Sequence, residues 1–296
     1  MPPALVLALS VVGISFAAPL VRLSAATPLV IATWRLGFSL MLVGAMLVAT
    51  RGWRQWRGLR AGDLLVAGGA GVLLALHFWS WNASVGLTTV AASVVLVNLQ
   101  PVFVAAGSAL WLREAPTARQ VGGIAVAMAG AALVALPDLL AAGGGEAVGS
   151  RRALLGDLLA VGGGLAAALY YLAGRRLRQR LDLWPYVALV YGSCFVTLLL
   201  LCAAAGERLV PQPPRELAIY AALALGPMML GHTGMNWALR FLPAYIVNLT
   251  VLGEPVGATL LAAVLPGIRE LPPASTLAGG ALILGGILVA ARRRAG

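Results

Sequence analysis

Four ionisable side chains lie inside strongly apolar stretches of this chain: Arg35, His77, His232 and Glu254. Burying such a group in a membrane costs free energy unless it faces a cavity or a partner, so it is a candidate for solute binding or proton transfer. Desolvation raises the pKa of a carboxyl group, which suits Glu254 to proton coupling. The alternative is a fixed hydrogen-bonding strut, which is the role left to Gln100, its counterpart in a similar stretch, because an amide does not titrate.

Each histidine stands close to an asparagine and to aromatic residues. His232 and Asn236 are four positions apart and therefore share one helical face. Phe78 and Asn82 repeat that spacing, and His77 adjoins Phe78. These residues are predicted to line a cavity, and either histidine is a candidate proton relay. The plainer alternative is a hydrogen bond to a neighbouring helix.

The pair Trp34-Arg35 lies roughly a third of the way into its apolar stretch. The planar guanidinium of Arg35 suits a substrate carboxylate, and pairing with Glu254 would also neutralise both buried charges. The remaining alternatives are that Arg35 extends towards the membrane interface and that Trp34 belongs to an aromatic belt.

Two prolines interrupt apolar stretches. Pro101 follows Gln100 and Pro255 follows Glu254, and each removes a main-chain hydrogen bond, which predicts a kink. Broken backbone at membrane depth is tolerated where it is buried in protein or lines water. Each kink is therefore predicted to be either a substrate-facing hinge or a static bend.

The remaining cavity candidates are polar or aromatic: Trp81, Asn98, Gln100, Trp237 and Tyr245. For Asn98, as for Asn248, a hydrogen bond between helices is the alternative. For the aromatic candidates, and for Tyr170, Tyr171 and Tyr191, the alternative is anchoring at the membrane interface.

Composition places the protein in a bilayer. Of its 296 residues 60% are hydrophobic and 10% charged, against about 25% charged in soluble domains. All 21 basic residues are arginine, so the chain has no Walker A lysine and no lysine for Schiff-base chemistry. No metal-ligand spacing occurs, and neither a metal nor a cofactor is expected. The net charge of +11 reflects membrane topology rather than nucleic-acid binding.

Apolar stretches of about 20 residues predict membrane-spanning helices. Ten are found, at 4–21, 29–50, 64–83, 90–111, 119–136, 153–174, 184–204, 216–238, 245–265 and 275–291. With the N-terminus inside, 14 arginines fall in cytoplasmic segments and 6 outside. The positive-inside rule therefore predicts that both termini are cytoplasmic.

The second half of the chain echoes the first. An offset of 154 positions separates Asn82 from Asn236 and Pro101 from Pro255. Five spans per half is an odd number, so the second half must cross the membrane upside down, as in many transporters. The predicted organisation is one repeat at 1–137, a Gly-rich linker at 138–152 and an inverted repeat at 153–296.

Small residues recur at close helical spacing in the fifth and tenth spans. They are Gly122, Gly123, Ala127 and Gly130 in one, and Gly279, Gly280, Gly285 and Gly286 in the other. They predict close packing of helices within the bundle, with a dimer contact as the alternative.

The segments LVNLQPVF…LREAPTARQVGGIAVAMAGAAL and LGHTGMNWALRF…VLGEPVGATLL, with Trp34-Arg35 in the second span, resemble the EamA family of the drug/metabolite transporter superfamily. The resemblance covers nearly the whole chain. It implies ten helices, cytoplasmic termini and a central cavity built from the first four helices of each repeat. It also implies export of small metabolites or amino acids by alternating access.

The expected function is thus a secondary exporter in the inner membrane of a bacterium, acting on a small polar or amphipathic metabolite. Uptake or exchange of other small polar metabolites is one alternative, and a channel is another. An intramembrane enzyme is disfavoured because no mid-span Asp pair and no G-x-S-x-G motif occur. The expected partners are the substrate and the lipid bilayer, and the protein is expected to be a monomer, with a homodimer as the alternative.

Overall fold

The computed structural model describes residues 1–85, 87–88, 93, 96–142, 151–264 and 274–291. Within these ranges, side chains are not described at 18, 22, 85, 135–142, 258–259 and 262–264. The α-helices are α1 Pro3–Ser15, α2 Ala17–Leu23, α3 Pro28–Ala49, α4 Ala61–Val85, α5 Gln100–Gly107, α6 Ala118–Ala142, α7 Arg151–Arg178, α8 Leu183–Ala204, α9 Pro214–Leu223, α10 Gly234–Ala238, α11 Ala244–Leu249, α12 Gly253–Val264 and α13 Ala274–Ala291. Shorter 3₁₀ segments are Gly52–Gly58 and Thr250–Leu252, and π-helical segments are Ser108–Leu112 and Ala224–Thr233.

The predicted all-helical membrane fold is confirmed. The described residues contain no strand, and seven of their helices are long and apolar enough to cross a membrane. These seven match the predicted first, second, third, sixth, seventh, eighth and tenth spans. The fourth and fifth fall on the shorter apolar helices Gln100–Leu112 and Ala118–Val134, and the ninth is divided among α11, a 3₁₀ turn and α12. The count of ten spans stays a prediction.

The chain divides into two compact units that interleave along the sequence. The first unit holds 1–79 and 169–242, and the second holds 80–168 and 243–296. Each therefore draws helices from both halves of the sequence, and neither coincides with a predicted repeat. Helix α6 continues past Pro137 to Ala142, so the predicted linker begins within a helix. Residues 143–150 of that linker lie outside the described residues. The repeat boundary stays a prediction.

In the first unit, α3 packs against α8 along an antiparallel path. The Thr33 hydroxyl lies 3.3 Å from the Cys202 sulfur. Further along α3, a Cβ atom on Gly37 would stand 3.5 Å from the Phe195 ring. Residue numbers rise on α3 as they fall on α8, so the second and seventh predicted spans run in opposite directions.

Helix α1 approaches the π-helical segment at two glycines. A Cβ on Gly13 would lie 2.9 Å from the Gly231 nitrogen, and a Cβ on Gly231 would overlap Ile14. Within the π-helix, Pro227 lacks a main-chain donor, and the Thr233 hydroxyl bonds to the Met228 carbonyl at 3.0 Å. This bond reaches five residues back and fits the wider π-helical turn, which is frequent at functional sites.

In the second unit, α6 packs against α13 through paired glycines. A Cβ on Gly123 would stand 2.7 Å from the Gly286 carbonyl oxygen, and one on Gly130 would stand 2.6 Å from that of Gly279. These contacts confirm the predicted packing role for four of the small residues. They also make α6 and α13 antiparallel, as α3 and α8 are. In contrast, a Cβ on Gly122 or Gly285 would meet no atom within 4 Å.

Both prolines follow an interruption of the helical backbone. Asn98 and Leu99 form a turn before α5, in which Pro101 occupies the first turn. In the second copy, a 3₁₀ turn separates α11 from α12, whose first residues are Gly253, Glu254 and Pro255. A proline without its own donor is well suited to the first turn of a helix. The predicted kinks are therefore starts of new helices, and their role as hinges stays a prediction.

Candidate functional site

Three side chains from three spans meet in the first unit and define the cationic–aromatic cluster: Arg35 on α3, Phe78 on α4 and His232 in the π-helix. The Arg35 guanidinium carbon lies 3.9 Å from the centre of the Phe78 ring. The His232 ring meets the same ring edge-on, with 5.6 Å between centroids and an interplanar angle of 89°. His77 also touches Phe78, at 5.4 Å. The structure thus joins four of the predicted site residues.

The cluster is deeply placed, because Arg35 is 6% exposed and Phe78 is 3% exposed. A cation over an aromatic face is attracted by the ring quadrupole, most strongly where water is excluded. Phe78 therefore restrains the orientation of the guanidinium. The predicted extension of Arg35 towards the membrane interface is wrong, since this contact holds its guanidinium in the interior.

Close helix contacts bring these side chains to one place. A Cβ on Gly71 would collide with the Val190 carbonyl and stand 2.8 Å from the Cys194 nitrogen, so α4 packs closely on α8 nearly two turns before His77 and Phe78. On the other side, Gly13 and Gly231 let α1 support the π-helix that carries His232. Glycines at these contacts allow the helices to approach closely enough to bring the site residues together.

The Nδ1 atom of His232 is buried and has no hydrogen-bond partner among the described residues. Leaving a buried polar atom unsatisfied costs about 1–3 kcal/mol. A polar group of a bound solute would remove that cost. The cluster can therefore offer an oriented guanidinium, an aromatic surface and an imidazole nitrogen to one small molecule.

Asn236 supports the site from behind. It is 0% exposed, and its amide nitrogen donates to the hydroxyls of Tyr170 at 2.5 Å and Tyr191 at 3.3 Å. The Tyr191 and Thr233 hydroxyls are 2.9 Å apart. This buried network holds Thr233, the residue that follows His232, in place. Asn236 is buried in this network, and its place on a cavity wall stays a prediction.

The same network corrects the predicted role of three tyrosines. Tyr170, Tyr171 and Tyr191 are buried, so interface anchoring is wrong for them. The Tyr171 hydroxyl bonds to the Met235 sulfur at 3.2 Å. Thr233 was not foreseen. Its only sequence signal is its place beside His232.

Trp34 lies apart from the cluster although it adjoins Arg35. Its indole nitrogen donates to the Leu209 carbonyl at 2.9 Å, and its ring stacks on Tyr220 with 6.2 Å between centroids. Successive residues on a helix point about 100° apart, because a turn holds 3.6 residues. Trp34 therefore packs into the core formed with Val30 and Ile31. The structure gives it a packing role.

Trp237 also lies apart from the cluster. It is half-buried, and its ring lies 4.5 Å from the ring of Phe241 near the end of the eighth predicted span.

The other predicted site residues belong to the second unit. Trp81 and Asn82 are half-buried at the end of α4, and Asn98 and Gln100 are buried at the break before α5. Tyr245 is buried and donates to the Gln120 amide oxygen at 3.1 Å, which contradicts an interface anchor.

Glu254 is half-buried in the first turn of α12. Gln100 has the same place in the first turn of α5, which agrees with the strut. Glu254 lies in the second unit and Arg35 in the first, and their pairing stays a prediction.

The break before α5 is covered by protein on at least one side. A Cβ on Gly164 of α7 would stand 2.7 Å from the Val97 carbonyl oxygen. Pro101 cannot donate to that oxygen, so the close approach of α7 shields the carbonyl that the proline leaves unused. This contact favours the static bend over the substrate-facing hinge at Pro101.

Among the residues described, no group of three or more His, Cys, Asp and Glu side chains could hold a metal ion.

Comparisons with known proteins agree with the fold. Among solved structures, 27 chains match. One of them, whose title reads only "Crystal structure of protein", has a TM-score of 0.74 and 22% identity over 98% of this chain and 96% of its own. No curated protein matches. The model of the EamA-like transporter family matches twice, at residues 2–136 and 154–292. One match lies in each half of the chain.

Proposed function

Because the chain belongs to the EamA-like transporter family, we propose that it is a secondary exporter of small amphipathic metabolites, amino acids among them, and that the cationic–aromatic cluster holds the solute. One observation carries the proposal. Inside membrane-spanning helices, Phe78 orients the Arg35 guanidinium at 3.9 Å and meets His232, whose Nδ1 has no partner among the described residues.

The chemistry of the cluster favours a solute with a carboxylate and a second polar group. A guanidinium binds a carboxylate through two parallel hydrogen bonds. The imidazole nitrogen of His232 would take the second polar group, and the Phe78 ring would contact an apolar part. An amino acid carries all three features, as do other amphipathic acids.

Alternating access is supported by the directions of the helices. The second and seventh predicted spans, α3 and α8, are antiparallel, and so are the fifth and tenth, α6 and α13. Phe78 and His232 are counterparts under the 154-position offset, and they touch. Counterpart residues that touch are expected close to a two-fold axis. Inverted repeats related by such an axis give a transporter two similar conformations, open to opposite sides.

Glu254 is proposed to be a strut rather than a proton-coupling group. Glu254 lies in the first turn of α12 as Gln100 lies in the first turn of α5. The amide of Gln100 can form hydrogen bonds but cannot titrate, so the matching position of Glu254 favours a hydrogen-bonding role. Glu254→Gln separates the two roles. A strut predicts that solute binding has the same pH dependence in the wild type and the variant.

The experiment is counterflow in proteoliposomes. A metabolite library is first screened for solutes that raise the thermal stability of the purified protein. Vesicles loaded with a stabilising solute should then take up its labelled form faster than empty vesicles, and the uptake should saturate. Flux that rises linearly with concentration and ignores the loaded solute would indicate a channel and contradict the proposal.

A further inference from the structure

A second polar site occurs in the first unit, away from the cationic–aromatic cluster. A cavity of about 560 Å³ has among its lining residues Gln55, Arg60, Asp63, Arg180, Asp182 and Arg240. We propose that this cavity, the arginine pocket, binds the phosphate of an anionic phospholipid headgroup.

The position of the pocket is set by the ends of five spans. Its lining residues lie in the connections after Ala49, Arg178 and Ala238, or at the starts of the helices that follow. These ends share the side that the arginine distribution predicts to be cytoplasmic. The pocket therefore lies at the depth of the lipid headgroups, next to the hydrocarbon-spanning parts of the helices.

The 3₁₀ segment beside the pocket has the composition of a membrane-surface segment. Trp53 is 39% exposed, and the guanidiniums of Arg54 and Arg57 lie 5.6 and 5.7 Å from its ring. Trp56 fixes the segment to α8 by donating to the Pro185 carbonyl at 3.2 Å. Tryptophan is enriched at the headgroup level, and basic side chains there attract anionic lipids.

The charges of the lining favour an anion. Asp63 is paired with Arg180 at 3.1 Å, and Asp182 with Arg240 at 2.5 Å. Each pair is made through the Nη1 atom of the arginine, so each arginine can donate further bonds from Nη2 and Nε. The guanidinium of Arg60 forms no ion pair with the described residues. Three guanidiniums against two neutralised carboxylates leave a positive pocket.

The acidic partners also hold the pocket in shape. Gln55 donates to Asp182 at 2.6 Å and accepts from the main-chain nitrogen of Asp182 at 3.0 Å. This exchange fixes the 3₁₀ segment to the connection between α7 and α8. Arg180 and Arg240 are thereby held in place by their carboxylates, which suits bidentate bonds to phosphate oxygens. Because of its depth and the neighbouring Trp53, we assign a lipid phosphate rather than a free phosphate.

The test uses the full chain in phosphatidylcholine vesicles that contain a trace of spin-labelled lipid. Labelled phosphatidylglycerol should associate with the protein more strongly than labelled phosphatidylcholine. Arg60→Gln should lower that preference about fivefold, the effect of one basic side chain at a membrane surface. Arg208→Gln, which removes an exposed arginine between α8 and α9, is the matched control and should keep the wild-type preference.

Three results would overturn the assignment. No preference for phosphatidylglycerol in the wild type would exclude an anionic lipid site. An equal loss in both variants would show general attraction between a basic protein and an anionic lipid. Displacement of the labelled lipid by inorganic phosphate at constant ionic strength would show that the pocket binds free phosphate. Circular dichroism and solute exchange serve as folding controls, and Arg60→Lys should retain most of the preference.

Discussion

The substitution Phe78→Leu tests the cationic–aromatic cluster through the residue that orients its charge. Leucine keeps an apolar side chain on α4 but removes the ring that lies 3.9 Å from the Arg35 guanidinium. A desolvated contact of this kind contributes about 2 kcal/mol. Since 1.4 kcal/mol corresponds to a factor of ten, losing the restraint should weaken solute binding by up to about 30-fold.

The assay is equilibrium binding of a solute that the thermal-shift screen identifies, measured on purified protein. Phe38→Leu is the matched control, because Phe38 packs against Trp34 at 5.7 Å and lies outside the cluster. We expect the control to bind within about twofold of the wild type, which is less than 0.5 kcal/mol. If Phe78→Leu folds normally and also binds within twofold, Phe78 does not orient the binding group and the reasoning is wrong.

Three further predictions concern the surroundings of the cluster. Asn236→Leu should lower the free energy of unfolding by about 1–2 kcal/mol, because a buried tyrosine hydroxyl loses its donor. Weaker solute binding at unchanged stability would instead show that Asn236 contacts the solute. Gly130→Val should destabilise the protein by about 1–3 kcal/mol through overpacking, and thermal melts should show no such loss for Gly122→Val, where the space is open. The hydrogen bond from Gln55 lowers the pKa of Asp182, so its stabilisation is present above the ordinary pKa of about 4 and is lost as the pH falls through the lowered value. Asp182→Asn should therefore flatten the acid side of the curve of melting temperature against pH, and an unchanged acid slope would refute this.

The membrane fold follows from the sequence because the length of the apolar stretches determines it. The offset of 154 positions also pairs Phe78 with His232, and the rings of these two residues are in contact. Glycine spacing similarly predicts close helix packing within the bundle, which the structure shows between α6 and α13. In each of these cases a local pattern carries the information.

Apart from Phe78 and His232, the contacts between distant segments of the site are not indicated by the sequence. Trp34 and Arg35 are neighbours in sequence, yet one packs against Tyr220 and the other against Phe78. The amide nitrogen of Asn236 donates to two tyrosines that lie 66 and 45 positions away, and nothing in its own span indicates those partners. The pattern of residues within one span does not indicate which side chains of another span will form hydrogen bonds with its polar groups.

The Arg35 guanidinium is proposed to bind a carboxylate of the solute. The most direct measurement compares the binding of a stabilising carboxylate solute with that of its uncharged amide, in the wild type and in Arg35→Gln. The wild type should prefer the acid by at least about tenfold, as expected for a hydrogen bond between charged groups, and the variant should bind both forms equally weakly. If the variant keeps the preference for the acid, the carboxylate is bound elsewhere and the account of the site is contradicted.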